Sequence, residues 1–187
     1  MRPRIVRLTL VASALLAAAC DSDATAPDPV PADALPGQVG EIVELDAASV
    51  AGDATDAGEL GSLLADAGFA GGTQRTFSQT ERGRPQRSLA RILAFGDAAG
   101  ARAYLAWLED HLDEVIGTAE LIGPPDVPGA AFLALSEPEC LCPKATDVYL
   151  AAWAKDSTVL TLEVGGKGVE LADVQELVAT LDDAVAA

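Results

Sequence analysis

The chain has 187 residues, of which 50% are hydrophobic and 22% charged, with 29 acidic against 12 basic side chains and a formal charge of −17. So acidic a protein repels phosphate backbones and anionic bilayers, which argues against nucleic acid as a general partner. A closed zinc site needs about four ligands, and the sequence has a single cluster of Cys or His residues, at positions 140 and 142, with no second cluster to complete it.

The N-terminus has the three parts of an export signal. Three arginines lie within the first seven residues, and the uncharged run Leu8–Ala19 follows them. As a helix this run reaches only ~18 Å, against a hydrocarbon core of ~30 Å. It ends in three alanines directly before Cys20. We therefore interpret residues 1–19 as a signal peptide and not as a transmembrane helix.

The stretch Leu16-Ala17-Ala18-Ala19-Cys20 resembles the lipobox of bacterial lipoproteins. In that family the cysteine is acylated, with palmitate among its acyl chains, and becomes the first residue of the mature protein. The resemblance implies a lipid anchor on Cys20 and a periplasmic or other extracytoplasmic location in a cell envelope, with inner or outer membrane left open. An ordinary secretory signal whose cut site precedes a cysteine is the alternative.

The segment after this cysteine predicts a tether. Residues 21–36 contain four prolines, four aspartates and no aromatic side chain, a composition that buries too little apolar surface to fold. We therefore predict that residues 20–36 are a lipidated, disordered linker. Residues 37–187 then form a single domain, which at this length buries ~70% of its unfolded surface.

Within that domain, the spacing of apolar residues predicts helices and strands in the order α-β-β-α-β-β-β-α. A weaker strand signal precedes them in residues 40–50. Strands that follow one another through short turns favour an antiparallel sheet packed by helices, an α+β domain. The predicted elements are helix 56–69, strands 73–80 and 85–95, helix 98–116, strands 131–136, 146–154 and 157–164, and helix 171–185.

This order is similar to that of the PsbP-like fold family. The resemblance covers Asp56–Ala187 and includes the rhythm Gly-Phe at 68–69, Arg-Thr-Phe at 75–77 and Phe-Gly-Asp at 95–97. It implies the fold and brings no catalytic motif with it. A cystatin-like or ferredoxin-like arrangement is the competing topology.

Charge is unevenly distributed along the domain. Residues 21–74 hold 11 acids and no base, and five arginines then fall within 17 residues. One interpretation is a patch that binds an anion or an acidic envelope protein; the other is a solvated hairpin whose arginines pair with the acidic N-terminal segment. The five are Arg75, Arg82, Arg84, Arg87 and Arg91.

The remaining cysteines lie one residue apart in the stretch Glu137–Lys144, EPECLCPK. Outside the cytoplasm thiols tend to be oxidised, so a strained local disulfide between Cys140 and Cys142 is the first interpretation. The rival is a metal- or redox-handling loop, in which these thiolates and a neighbouring glutamate hold a soft ion such as Cu(I).

Catalytic signatures are missing from the sequence. It has no HExxH, GxSxG, SxxK or Walker motif, and its single histidine, His111, lies beside the apolar stripe of the long helix. The glycine-rich GGKG at 165–168 lacks the Walker spacing and is typical of a turn. We therefore predict a membrane-anchored, non-catalytic binding or accessory domain with no cofactor, no catalytic residues and no resident metal.

Overall fold

The computed structural model of the protein describes residues 27–52, 54–81, 84–129, 131–137 and 146–186. The three cysteines and Arg82 lie outside these residues, as does the predicted signal peptide. Among the helices that are described, none is both long enough and apolar enough to cross a bilayer.

The described residues form an α+β domain, which confirms the predicted fold class. Seven strands make one sheet in the order β1-β2-β3-β7-β6-β5-β4, with every neighbouring pair antiparallel. The strands are β1 (Gln38–Leu45), β2 (Phe69–Glu81), β3 (Arg84–Phe95), β4 (Ala119–Gly123), β5 (Ala131–Ser136), β6 (Val148–Lys155) and β7 (Thr158–Gly166). The helices are α1 (Ala47–Ala51), α2 (Ala57–Asp66), α3 (Ala98–Asp110), α4 (Leu112–Val115) and α5 (Leu171–Ala186).

All eight predicted elements are present with shifted boundaries, the weak strand signal in residues 40–50 corresponds to β1, and the additions are α1 and β4. The long helix predicted over residues 98–116 is in fact two helices. His111 lies between them with φ −119°, outside the helical range, so α3 ends at Asp110 and α4 starts again at Leu112. β1, which had only a weak strand signal, and the unpredicted β4 are the two edge strands of the sheet.

Local sequence explains where the helices begin. Asp97 accepts hydrogen bonds from the backbone N–H groups of Ala99 and Gly100, and so caps α3. Asp46 caps α1 through Ser49, whose hydroxyl and N–H bonds lower the pKa of the Asp46 carboxyl. Gly100 also allows α3 to approach α2 closely, because a side chain there would collide with the carbonyl oxygen of Ala67.

The sheet is covered by helices on both faces. One core lies between the sheet and α5, whose Val174, Val178 and Leu181 are buried there with Trp153. A second core lies between the other face and α1 to α4, and includes Tyr104, Leu105 and Leu108 of α3. Successive residues of one strand therefore pack into different cores: Leu160 of β7 lies in the core beside α5, and Val159 lies in the core beside α1 to α4.

The packed domain begins earlier than the sequence predicts. Val30, Ala34 and Leu35 belong to the α5 core and are almost fully buried, although the predicted tether runs to residue 36. The backbone N–H of Val30 also donates a hydrogen bond to the Thr73 hydroxyl at 3.3 Å. Composition identified the prolines and aspartates of this segment but missed three apolar side chains that lie against the sheet.

We predict that truncating Leu35 destabilises the domain. Replacing it by alanine removes a buried side chain and leaves a cavity, so Leu35→Ala lowers the free energy of unfolding by about 2–5 kcal/mol. Asp33→Ala, two residues away at an exposed position, changes it by less than about 0.5 kcal/mol. Urea denaturation of both variants checks this, and equal midpoints would show that the segment is a linker after all.

Candidate binding cleft

The sheet face beneath α3 changes character along strands β3 and β7. Residues that face each other across these strands grow more exposed toward the β2–β3 hairpin, from fully buried through half-buried to exposed. They also change from apolar to polar. The successive pairs are Leu93–Val159, Arg91–Thr161, Leu89–Glu163 and Arg87–Gly165.

Where the apolar pairs end, the helix layer and the sheet enclose a cavity of about 30 Å³. This exceeds the ~10–15 Å³ that one water molecule needs. Its walls are mainly apolar, with Leu60 of α2, Tyr104 and Leu108 of α3 and Leu150 of β6. Its polar lining side chains are those of Tyr104 and Trp107 on α3 and of the β3 and β7 residues Arg91, Thr161 and Glu163.

A wider groove of about 560 Å³ continues along the same face toward the hairpin. Leu89 and Glu163 line both the cavity and the groove, so the two adjoin each other, and together they are here called the α3 cleft. Its inner end is the cavity and its outer end is the groove, which Gln86, Arg87 and Gly165 line. Small-molecule sites typically enclose ~300–1,000 Å³, which includes the size of the outer end.

Trp107 brings an unusual donor to the inner end. Its indole Nε1 is buried and has no hydrogen-bond partner among the described residues. A buried donor left unpaired costs ~1–3 kcal/mol. The ring itself is held between its neighbours, with centroid distances of 6.3 Å to Tyr104 and 4.4 Å to His111. The N–H group is therefore held in place while its hydrogen-bonding capacity is unused.

The structure divides the predicted arginine patch. Arg87 and Arg91 lie on the cleft face of β3, where the Arg91 Nε donates to the Gln74 side chain at 3.1 Å. Arg75 lies on the opposite face with Phe77 of the α5 core, and its buried Nε has no partner among the described residues.

Of the other two arginines, Arg82 lies outside the described residues. Arg84 begins β3, and only its backbone is described.

No metal site is formed within the described part of the chain, where no three His, Cys, Asp or Glu side chains come together as ligands would. Cys140 and Cys142 lie outside that part, so the disulfide and the metal-binding loop both stay predictions. His111 closes α3, stacks on Trp107 with its ring 14° from parallel, and has its Nδ1 2.8 Å from the Trp107 carbonyl oxygen.

The sequence patterns do not identify three polar residues that line the cavity: Trp107, Thr161 and Glu163. The apolar stripe predicted for the long helix passes through Tyr104 and Leu108 and leaves Trp107 beside it. The alternation in β7 predicted one buried and one solvated face, but Val159 and Thr161 are buried too. Thr161 and Glu163 lie on the same face of β7 as the buried Val159, and these two polar residues on a buried face were the sequence signal for a polar cleft.

Comparison with known proteins supports the fold. No protein-family model matches the chain, and no curated protein matches it in sequence. Among solved structures, the chain is similar to the extracellular domain of PknH from Mycobacterium tuberculosis, with a TM-score of 0.56 and 13% identity. The match covers 80% of this chain and 85% of that one. At this identity the likeness shows a shared α+β fold.

We predict that the two tryptophans respond differently to loss of the indole N–H. Trp153 donates to Asp182 at 3.0 Å, so Trp153→Phe loses a hydrogen bond to a charged acceptor, which keeps its ion pair with Lys155 at 3.4 Å. Trp107→Phe removes a donor that has no partner. We expect Trp153→Phe to lower the free energy of unfolding by ~1–3 kcal/mol more than Trp107→Phe, as measured by urea denaturation. Equal losses would mean that the Trp107 N–H is satisfied in solution.

Proposed function

We propose that this protein is a lipid-anchored, extracytoplasmic binding domain of a bacterial cell envelope, which holds a ligand without transforming it. The observation that carries the proposal is the order of features at the N-terminus. An export signal ends at Cys20, and Val30, the first buried core residue in the described part of the chain, follows only ten residues later. A folded domain placed so soon after an acylated cysteine is held at a membrane surface.

The short spacing also limits where the domain works. Ten residues span at most ~33–36 Å when fully extended. The domain therefore stays within about its own diameter of the lipid surface, closer than the ~50 Å that a 16-residue polyproline-like linker allows. With a formal charge of −20 after the three leader arginines are removed, the domain is repelled by anionic lipid and stands off from the bilayer.

Two findings support a binding role at that surface. The chain shares its fold with a protein domain described as extracellular. It also has the α3 cleft, which combines an apolar inner end, an unpaired indole donor and two arginines. Apolar pockets with a few converging polar groups are typical of ligand sites.

We expect acylation at Cys20 when the full chain is expressed in a bacterial host. Metabolic labelling with an alkyne analogue of palmitate should mark the wild-type protein, which should fractionate with membranes. Cys20→Ala should abolish the label and leave an unprocessed precursor, because the acylated thiol is gone. Gel fluorescence and the intact mass measure both effects.

The matched control for this experiment is Cys140→Ala, which removes a cysteine that the lipobox does not include. It should keep the label, the processed mass and the membrane fraction. A wild-type protein that is processed and exported but carries no label would show an ordinary secretory signal, and the anchoring part of the proposal would be wrong.

A further inference from the structure

We propose that the α3 cleft binds a small amphipathic anion, with its apolar end at the inner end of the cleft and its acidic head beside Arg87. This inference rests on the proposed binding role and gives that role a class of ligand. Three independent features of the cleft carry it: the unpaired Trp107 donor, the balance of charge along the whole cleft, and the open floor at Gly165.

The inner end favours an apolar group that also brings a hydrogen-bond acceptor into reach. Leucine, valine and aromatic side chains form most of its wall. The Trp107 N–H is buried and unpaired there, so an acceptor atom that enters the cavity recovers a hydrogen bond that the empty site lacks. The alkyl tail of a simple fatty acid such as octanoate fills the apolar wall and leaves this donor unpaired, so octanoate tests the apolar and charged contacts of the cleft and not the Trp107 hydrogen bond.

The balance of charge over the whole cleft favours an anion. Among the residues that line the cleft, Arg87 and Arg91 are basic and Glu163 is the single acid. Glu163 lies opposite Leu89 across the two strands, and Leu89 is the residue between the two arginines on this face. A single carboxylate at this position neutralises at most one of the two arginines. One positive charge is left, and the exposed Arg87 is the group best placed to offer it.

The floor of the outer end is open where a ligand has to lie. Gly165 faces Arg87 across the strands, and a glycine inside a strand often marks close approach of another group. Its backbone does not need glycine, because an added Cβ would meet only ordinary van der Waals contacts, 3.7 Å from the Val148 side chain. From Arg91 to Arg87 the strand runs ~13 Å, at ~3.3 Å per residue. This length fits a medium acyl chain or a compact ring system with one acidic head.

The experiment uses the mature chain, residues 20–187 with Cys20→Ser, exported without lipid, and sodium octanoate as the probe. Octan-1-ol is the neutral comparison, since it has the same chain with no charge. We expect octanoate to bind at one site in titration calorimetry and to change tryptophan fluorescence. The fluorescence change should disappear in Trp107→Phe, because the remaining Trp153 lies in the opposite core.

Two substitutions and one control test the proposed geometry. Arg87→Gln should weaken octanoate binding at least fivefold and change octanol binding less than twofold. Gly165→Leu, which places a side chain in the outer end, should weaken both at least tenfold. Arg102→Gln removes an exposed arginine of α3 that does not line the cleft, and should change neither. Thermal unfolding of each variant confirms that it is folded.

Absence of octanoate binding to the folded wild-type chain would overturn the inference, and so would unchanged affinity in Gly165→Leu or equal effects of Arg87→Gln and Arg102→Gln. Each of these results is independent of acylation. A labelled Cys20 with no octanoate binding leaves the anchor intact and removes this ligand class. Octanoate binding to a chain that is never acylated supports the cleft and removes the anchor.

Discussion

The whole architecture depends on a sheet whose central strands must be buried on both faces. In β6 and β7, alternate residues point into the α5 core and into the core beneath α3, so neither face can meet solvent. Helix α5 covers one face of the sheet, and helices α1 to α4 cover the other. Antiparallel sheets commonly leave one face exposed to solvent, but at the centre of this sheet both faces are buried.

The cleft follows from the place where this cover stops. The layer formed by α1 to α4 shields the face as far as the Leu93–Val159 pair, and the next pairs toward the hairpin carry arginine, threonine and glutamate. The protein thus places charge where the low-dielectric core gives way to water. The two tryptophans show the same division: Trp153 is deep in a closed core and pairs with Asp182, whereas Trp107 lines the cleft with its N–H unpaired.

The sequence was sufficient for the fold class and for the strongly periodic elements, because β7 and α3 carry long apolar patterns. The strand signal was weak for β1 and absent for β4, since an edge strand buries little and so needs no strict alternation; all but the last residue of β1 is exposed. Alternation groups Arg75 with Phe77, and Arg87 with Arg91. Only the pairing register and the position of α5 show that these two groups lie on opposite faces of the sheet.

The acidity of the chain and an anion in its cleft are compatible because they act over different distances. At physiological ionic strength the screening length is ~8 Å, so a ligand inside the cleft senses its lining and little of the remaining acidic surface. A large polyanion would have to lie across that surface and would be repelled. A small molecule of the class that we propose has one acidic head for Arg87, and its apolar part gains by leaving water. Under this proposal the net charge selects for small ligands, and the local arginine selects for anionic ones.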